Sequence, residues 1–191
     1  MATTEPIRNK DQVRDFINYY HTQGQTRNWV LTTMCVFSAL RISDVLRLSC
    51  DDVYNFRTGA IRTTITLNEQ KTKKPKRVAL NKHVIKALKA YQPEAKPGMP
   101  LILNANTGKA ISRIQAYRLI QSAAAAVGIE GKVSCHSLRK TFGYHAWKDG
   151  VSPAIIMEIY NHSSLAVTRR YLGVAQSDMN EVYIGMNFDK I

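Results

Sequence analysis

The sequence has 191 residues, 45% of them hydrophobic and 21% charged, which suffices for one buried core and excludes a disordered chain. Lysine and arginine number 27 against 14 aspartate and glutamate residues, and the resulting net charge of +13 indicates an anionic partner, most commonly nucleic acid. Three widely spaced cysteines exclude a disulfide framework, and neither a signal peptide nor a membrane-spanning run is found, so the sequence predicts a cytoplasmic protein.

The first 50 residues predict three helices. After a polar tail over residues 1–9, Asn9 is the expected N-cap of a helix that ends at Gly24. A second, apolar helix is expected over residues 29–40, and a short third one over residues 43–48.

The pattern then changes to that of extended chain. Residues 60–67 are rich in isoleucine and threonine, and residues 77–80 form a second extended run. Between them lies the basic, proline-containing turn NEQKTKKPK. We therefore expect a small β-hairpin or three-stranded sheet with a positively charged tip, including a short strand near Val53.

The rest of the chain is predicted to be helical. Helix starts are indicated by a capping box formed by Ser112 and Gln115, and by Ser152 followed by Pro153. The fold class is therefore α+β and mainly α-helical, one domain with a small antiparallel sheet inserted after the third helix. The expected helices cover residues 82–91, 113–127, 137–149, 153–160, 165–172 and 178–186.

Three segments carry candidate functional residues. ALRISDVLRL contains Arg41, which taken alone is equally consistent with an ion pair to the nearby aspartate. CHSLRKTFGYH places His136 and Arg139 three residues apart, so that both face the same way in a helix. YNHSSLAVTRRYL places His162 nine residues before Tyr171, which alone is more often a packing residue.

Together these residue types suit metal-free transfer of a DNA phosphodiester. Two guanidinium groups can each bind the phosphate oxygens in a bidentate manner, where negative charge accumulates in the transition state. A tyrosine has an ordinary pKa of about 10 and needs a base or neighbouring cations to attack at neutral pH. A lysine from the basic turn could protonate the leaving oxygen.

The segments resemble the tyrosine recombinase (phage integrase) family in their order and spacing. ALRISDV is similar to the family segment G-L-R-I-S-E-L, HSLRKTF to H-x-x-R, and NHSS to L-G-H-S-S, with Asn161 in place of the usual glycine. The family lysine lies in a hairpin turn, often as K-T-x-K, which selects Lys71 among the lysines of this turn. The resemblance implies a catalytic set of Arg41, Lys71, His136, Arg139, His162 and Tyr171.

The resemblance also implies the reaction, site-specific DNA recombination. Tyr171 would attack the scissile phosphate to form a 3′-phosphotyrosyl bond, while the two arginines and the second histidine bind the phosphate oxygens. His136 would act as general base or orient the nucleophile, and Lys71 would protonate the leaving 5′-oxygen. Neither a metal ion, nor ATP, nor any other cofactor is expected.

Double-stranded DNA is the expected partner. The protein is expected to be a homotetramer on synapsed DNA and a monomer when no DNA is bound. The chain is expected to be one catalytic domain over residues 1–191, encoded by a bacterium, phage or mobile element, and to lack the family's N-terminal core-binding domain. Its C-terminal segment, about residues 175–191, is expected to pack either in cis or on a neighbouring protomer. The predicted DNA-contacting residues are Lys73, Lys74, Lys76, Arg77, Lys140, Arg169 and Arg170.

Three alternatives remain at this point. A type IB topoisomerase shares the chemistry but relaxes supercoils alone. A non-catalytic DNA-binding regulator would use SPAIIMEIYNHSSLAVTRRYL as a helix-turn-helix. A zinc protein would use Cys135, His136, His145 and His162, whose spacing fits no familiar zinc pattern.

Overall fold

The fold, seen in a computed structural model that describes residues 4–187, is mainly helical, as the sequence predicts. Three hairpins of two strands each and two 3₁₀ turns, Cys50–Asp52 and Gln92–Glu94, interrupt the helices of this part of the chain. The helices are α1 (Lys10–Thr22), α2 (Thr26–Phe37), α3 (Ile42–Val45), α4 (Lys82–Tyr91), α5 (Arg113–Ala126), α6 (Cys135–Lys148), α7 (Pro153–Tyr160), α8 (Leu165–Leu172) and α9 (Gln176–Gly185).

Local capping sets most helix starts. The side chain of Asn9 accepts hydrogen bonds from the first-turn amides of α1, and Ser112 and Gln115 form the expected capping box of α5. The expected start of α6 at Ser137 is wrong, because Ser134 is the N-cap and Ser137 completes its capping box from the third helical position. His136 therefore lies in the first turn of α6 rather than before it.

The extended region contains the predicted hairpin with its basic turn, but not the alternative three-stranded sheet. β1 (Tyr54–Asn55) pairs with β2 (Ala60–Ile61), and β3 (Thr64–Asn68) pairs with β4 (Pro75–Ala79), as separate antiparallel hairpins. The two hairpins divide between residues 62 and 63, since the Arg62 amide donates to the carbonyl of Val53 beside β1, whereas the Thr63 carbonyl accepts from the amide of Leu80 beside β4. A third hairpin that the sequence analysis missed is formed by β5 (Leu103–Asn104) and β6 (Lys109–Ala110).

The core lies around α2, in which nine of the 12 residues are buried, so this helix forms the centre of the domain. A second, smaller cluster contains Ala39, Ile156, Tyr160 and Leu172, with Tyr171 packed against it. This cluster joins α7 and α8 to the loop before α3. It therefore fixes the helix that carries the candidate nucleophile.

The chain ends are held partly in cis. Asp178, at the start of α9, is buried and accepts hydrogen bonds from the Ala175 amide and from Lys148 and Arg8. The expected segment over residues 175–191 and the polar tail over residues 1–9 each extend beyond the described residues. In residues 4–187, no helix combines the length and the apolar character that a membrane crossing requires.

Gly143 in α6 is required by its contact with Tyr160. A Cβ at this position would overlap the Tyr160 hydroxyl, which donates to the carbonyl of Arg139 at 2.6 Å. We expect Gly143→Ala to lower the free energy of unfolding by about 1–3 kcal/mol, because the side chain cannot be accommodated. The expected change is opposite in sign to the effect of helix propensity, which alone would make the alanine variant more stable by about 1 kcal/mol.

Urea denaturation measures this effect, with Gly185→Ala as the matched control. Gly185 is also helical, but a Cβ there meets no atom within 4 Å. Alanine should leave stability at residue 185 unchanged or slightly higher. Equal stability of the two variants would contradict the assigned contact.

Candidate active site

A cleft of about 670 Å³ brings together four of the six predicted catalytic residues. Arg41 is the N-cap of α3, Lys71 lies in the turn between β3 and β4, and His136 and Arg139 lie near the start of α6. Three segments that are distant in sequence thus contribute cations to one cavity, as an anionic substrate requires.

The other two predicted residues stand beside this cleft. The ring centroid of Tyr171 in α8 lies 4.7 Å from that of His136 and 4.9 Å from that of His162. His162 follows α7 in the turn that leads to α8. All six predicted residues are therefore neighbours in the fold.

The hydroxyl of Tyr171 lies 3.0 Å from Nδ1 of His136. Burial lowers the pKa of His136, and the cations Lys140 and Arg139 lower it further, so the imidazole is neutral near pH 7 and can accept a proton. Burial raises the pKa of Tyr171, although Arg139 opposes the shift. The phenol is therefore protonated in the free protein, and a base in hydrogen-bond contact is already in place.

Arg139 is buried, with 2% of its surface exposed, and its orientation is set by the backbone. Nη1 donates to the carbonyl of Ala39, and Nη2 donates to the carbonyl of Tyr160 at 3.0 Å. The guanidinium carbon lies 4.6 Å from the ring centroid of Tyr160 and 5.9 Å from that of Tyr171. The side chain is thus held next to Tyr171, the candidate nucleophile, before any substrate arrives.

Strained backbone surrounds the site. Ala39, Lys73 and Asn161 are the non-glycine residues in the described part of the chain with positive φ, at 53°, 57° and 52°. Each lies within two residues of Arg41, Lys71 or His162. A left-handed conformation is unfavourable for residues with a Cβ, and such residues often occur at functional sites.

His162 is oriented by Thr168, whose Oγ1 lies 3.1 Å from Nδ1. Burial, followed by the charges of Arg139 and Arg41, lowers the pKa of His162 to about 4, so the ring is neutral near pH 7. The Thr168 hydroxyl can also donate to the carbonyl of Ser164 at 3.4 Å, in which case the ring proton is on Nδ1. When Thr168 donates to the ring instead, the proton is on Nε2. That nitrogen can then donate to a phosphate oxygen.

The lysines of the β3–β4 turn differ in their surroundings. Lys71 is exposed and lines the cleft, whereas Lys73 and Lys74 are exposed outside it. Lys76 was predicted to contact DNA, but it is buried in β4 on the same face as Val78, and its Nζ donates to the carbonyl of Ile159 at 2.5 Å. Its ammonium group therefore points into the protein instead of lying on the outer surface.

Lys140, which was predicted to contact DNA, is also buried, with Nζ 5.8 Å from the ring centroid of Tyr171. Its charge contributes to the lowered pKa of His136. The remaining predicted DNA-contacting residues, Arg77, Arg169 and Arg170, are exposed.

Sequence reasoning missed Glu69. This residue is fully buried at the end of β3, and its Oε1 lies 2.9 Å from Nη1 of Arg41. One signal was available, since Glu69 is the acidic residue of an otherwise basic turn. Such a residue commonly pairs with one of its charged neighbours.

The zinc alternative lacks a ligand set among residues 4–187. No three histidine, cysteine, aspartate or glutamate side chains in that part of the chain are grouped closely enough to hold a metal ion. The four residues of that alternative therefore do not converge.

Comparisons with known proteins cover most of the chain. The phage integrase family model matches residues 8–178. The chain is 34% identical over 183 residues to the probable integrase/recombinase YoeC of Bacillus subtilis, which covers 96% of this chain and 97% of that protein. It is 29% identical over 170 residues to the tyrosine recombinase XerD of Mycobacterium leprae, which covers 83% of this chain but 52% of that protein, so the chain spans about half of this longer relative.

Solved structures have the same fold. The crystal structure of XerA recombinase is similar with a TM-score of 0.79 at 20% identity, over 97% of this chain and 68% of that one. XerH recombinase, in a post-cleavage complex with its palindromic difH substrate, is similar with a TM-score of 0.74 at 20% identity, over 95% of this chain and 53% of that one.

Proposed function

The chain belongs to the phage integrase family, and on this premise we propose that it is a site-specific recombinase that cuts and rejoins DNA through a 3′-phosphotyrosyl bond at Tyr171. The contact between the Tyr171 hydroxyl and Nδ1 of His136, beside the buried guanidinium of Arg139, is the observation that carries the proposal. It unites a nucleophile, a neutral base and a fixed cation. A non-catalytic DNA-binding protein has no need of this combination.

The reaction begins when His136 accepts the phenolic proton and the Tyr171 oxygen attacks the scissile phosphorus. Arg41 and Arg139 stabilise the charge that develops on the non-bridging oxygens, and preorganised donors of this kind contribute about 10²–10³ in rate each. His162 donates to the same oxygens. A phosphorus–oxygen bond to tyrosine forms as the bond to the 5′-oxygen breaks.

The leaving oxygen takes a proton from Lys71 and becomes a free 5′-hydroxyl. A 5′-hydroxyl from the partner duplex then attacks the phosphotyrosine and returns the tyrosine to its starting state. The two steps exchange one phosphodiester for another. The bond energy is conserved in the intermediate, so no nucleotide triphosphate is consumed.

Double-stranded DNA is the proposed partner, and the net charge of +13 supports it. XerH, which has the same fold, is described in complex with its DNA substrate. The proposed location is the cytoplasm. The protein is proposed to be a monomer off DNA and a homotetramer on two synapsed sites, because exchange of strands between two duplexes needs four cleavages.

A suicide substrate of randomised sequence tests the proposed function, because such a pool does not require that the target be known. Each duplex carries a nick in one strand, so that the short fragment released by cleavage dissociates and the covalent bond cannot be reversed. We expect a slower band on a denaturing gel and, after digestion, a nucleotide adduct on the peptide that contains Tyr171. Sequencing of the captured DNA identifies the target.

Two other outcomes have clear meanings. DNA binding without an adduct on any member of the library contradicts the proposal and favours the non-catalytic regulator. Relaxation of supercoiled DNA by monomers, without exchange between duplexes, identifies the topoisomerase reaction instead.

Lys71→Ala is expected to slow cleavage of an ordinary substrate by about 10²–10⁴-fold, because the leaving oxygen loses its proton donor. A substrate with sulfur in place of the bridging 5′-oxygen should be cleaved at nearly the wild-type rate, since a thiolate leaves without a proton. Single-turnover adduct formation on the two substrates measures the difference.

Lys89→Ala, which removes an exposed lysine from α4, is the matched control and should cleave both substrates normally. Lys73→Ala and Lys74→Ala should affect both substrates to the same extent. If one of these variants instead cleaves the ordinary substrate slowly and the sulfur-containing substrate normally, the assignment of the general acid to Lys71 is wrong.

A further inference from the structure

Glu69 is a buried group that the reaction described above does not use. Its Oε1 lies 2.9 Å from Nη1 of Arg41 and 3.6 Å from Nζ of Lys76. Its Oε2 accepts hydrogen bonds from Oγ1 of Thr72 at 2.7 Å and from Nδ2 of Asn161 at 3.0 Å. Four groups from three segments of the chain, the second of which is the β3–β4 hairpin, therefore converge on one carboxylate.

These partners are closely linked to the proposed catalytic residues. Arg41 is itself one of the phosphate-binding pair, and Thr72 directly follows the proposed acid, Lys71. Asn161 directly precedes His162. A displacement of Glu69 would therefore move Arg41 directly. It would also move Lys71 and His162, each of which is one peptide bond from a partner of Glu69.

The backbone supports the same connection. Asn161 has a φ of 52°, and the family segment commonly has glycine at this position. Asparagine tolerates this conformation and, unlike glycine, provides an amide that reaches Glu69. At the base of the turn, the Lys73 amide donates to the carbonyl of Glu69 at 2.9 Å, so the turn and the carboxylate move together.

The carboxylate is charged under ordinary conditions. Burial raises the pKa of Glu69, but hydrogen bonds from Thr72 and Asn161 and the guanidinium of Arg41 outweigh burial and lower the pKa to about 2. Its negative charge compensates the two cations that lie against it. Without it, Arg41 and Lys76 would repel each other inside the fold.

We propose that Glu69 is a positioning residue for DNA cleavage, whose carboxylate fixes the guanidinium of Arg41 and ties the lysine turn and the histidine turn to it. This inference rests on the proposed function. It assigns Glu69 no contact with DNA. Its loss should therefore slow the chemical step and leave binding intact, since a negative charge near the phosphate site opposes DNA binding.

Glu69→Gln tests the inference, because glutamine preserves the size of the side chain and removes its charge. We expect single-turnover cleavage of the nicked substrate to fall by about 10²-fold, the loss typical of a misplaced catalytic group, while DNA affinity stays equal or rises. Glu69→Asp, which keeps the charge, should recover part of the rate. Asp15→Asn makes the same carboxylate-to-amide change on the exposed surface of α1 and should cleave normally.

Two further variants cover the case in which Glu69→Gln does not fold. Asn161→Gly and Thr72→Val each remove one hydrogen bond to the carboxylate, and glycine accepts the backbone conformation at residue 161. Each should slow cleavage by about tenfold, the value of one hydrogen bond to a charged group. In a folded protein, adding Asn161→Gly to Glu69→Gln should cause no further loss, because the amide acts through the carboxylate.

The remaining outcomes overturn the inference in distinguishable ways. If folded Glu69→Gln, or both hydrogen-bond variants, cleave at the wild-type rate, Glu69 has no positioning role. The proposed function is not affected by that result. Equal losses of binding and cleavage indicate a purely structural role and also overturn it. Failure of the wild-type protein to form any adduct removes the proposed function and the inference together.

Discussion

Tyr171→Phe is expected to abolish the covalent protein–DNA adduct while the fold and DNA affinity are retained. The substitution removes one oxygen atom, and that oxygen contacts Nδ1 of His136 at 3.0 Å without bearing on the small cluster that packs the ring. Phenylalanine keeps the ring contacts with both histidines. Since the oxygen is the proposed nucleophile, no slower reaction is available to replace it.

Denaturing gels with the nicked substrate measure the adduct, and a gel-shift assay at the same salt concentration measures binding. Tyr183→Phe is the matched control, because Tyr183 lies in α9 with 78% of its surface exposed. It should form the adduct at the wild-type rate. An adduct with Tyr171→Phe, or its loss with Tyr183→Phe, would show that the nucleophile is wrongly assigned.

Arg139→Lys is expected to slow cleavage by about 10²–10³-fold, although it conserves the charge. The guanidinium donates to the carbonyls of Ala39 and Tyr160 and lies 4.6 Å from the ring centroid of Tyr160. A lysine ammonium cannot reproduce this planar fork. It would leave a buried carbonyl unpaired and offer the phosphate a single mobile charge.

Single-turnover cleavage of the nicked substrate measures the loss, and thermal melts show that the compared proteins are folded. Arg14→Lys, on the exposed surface of α1, is the matched control and should cleave at the wild-type rate. If Arg139→Lys cleaves as fast as the wild type, a point charge suffices and the bidentate role is wrong.

Helix boundaries were predictable where a local signal defines them. The predicted helix over residues 82–91 matches α4, and Ser152 followed by Pro153 correctly marks the start of α7. Residues 165–172 match α8 because Ser164 caps its start and Gly173 adopts a left-handed conformation at its end. In each case the information lies within a few residues of the boundary.

The strands were less predictable because their pairing depends on the rest of the fold. β5 and β6 have two residues each and carry too little alternation to be recognised. The predicted run over residues 60–67 divides where the pairing partner changes, since Arg62 bonds to Val53 beside β1 and Thr63 bonds to Leu80 beside β4. A sequence pattern does not contain that contact.

The candidate site contains features that the sequence predicts and features that it does not. The family resemblance selected six residues that the fold does bring together, although their separate roles stay predictions. The burial of Lys76 was available from the sequence, since strand alternation places it on the same face as Val78 and Leu80. The contacts of Glu69 could not be predicted from the sequence. Its partners Arg41 and Asn161 lie 28 residues before it and 92 residues after it, and only the fold brings them together.

The anchoring of Arg139 makes its orientation sensitive to partial unfolding. Its guanidinium depends on two carbonyls, one before α3 and one at the end of α7, so fraying of either segment releases it. The exposed Arg77, which is predicted to contact DNA, lies in β4, outside both of those segments. A partly unfolded copy would therefore keep this part of the predicted DNA-contacting surface but lose the orientation of Arg139, on which the proposed strand cleavage depends.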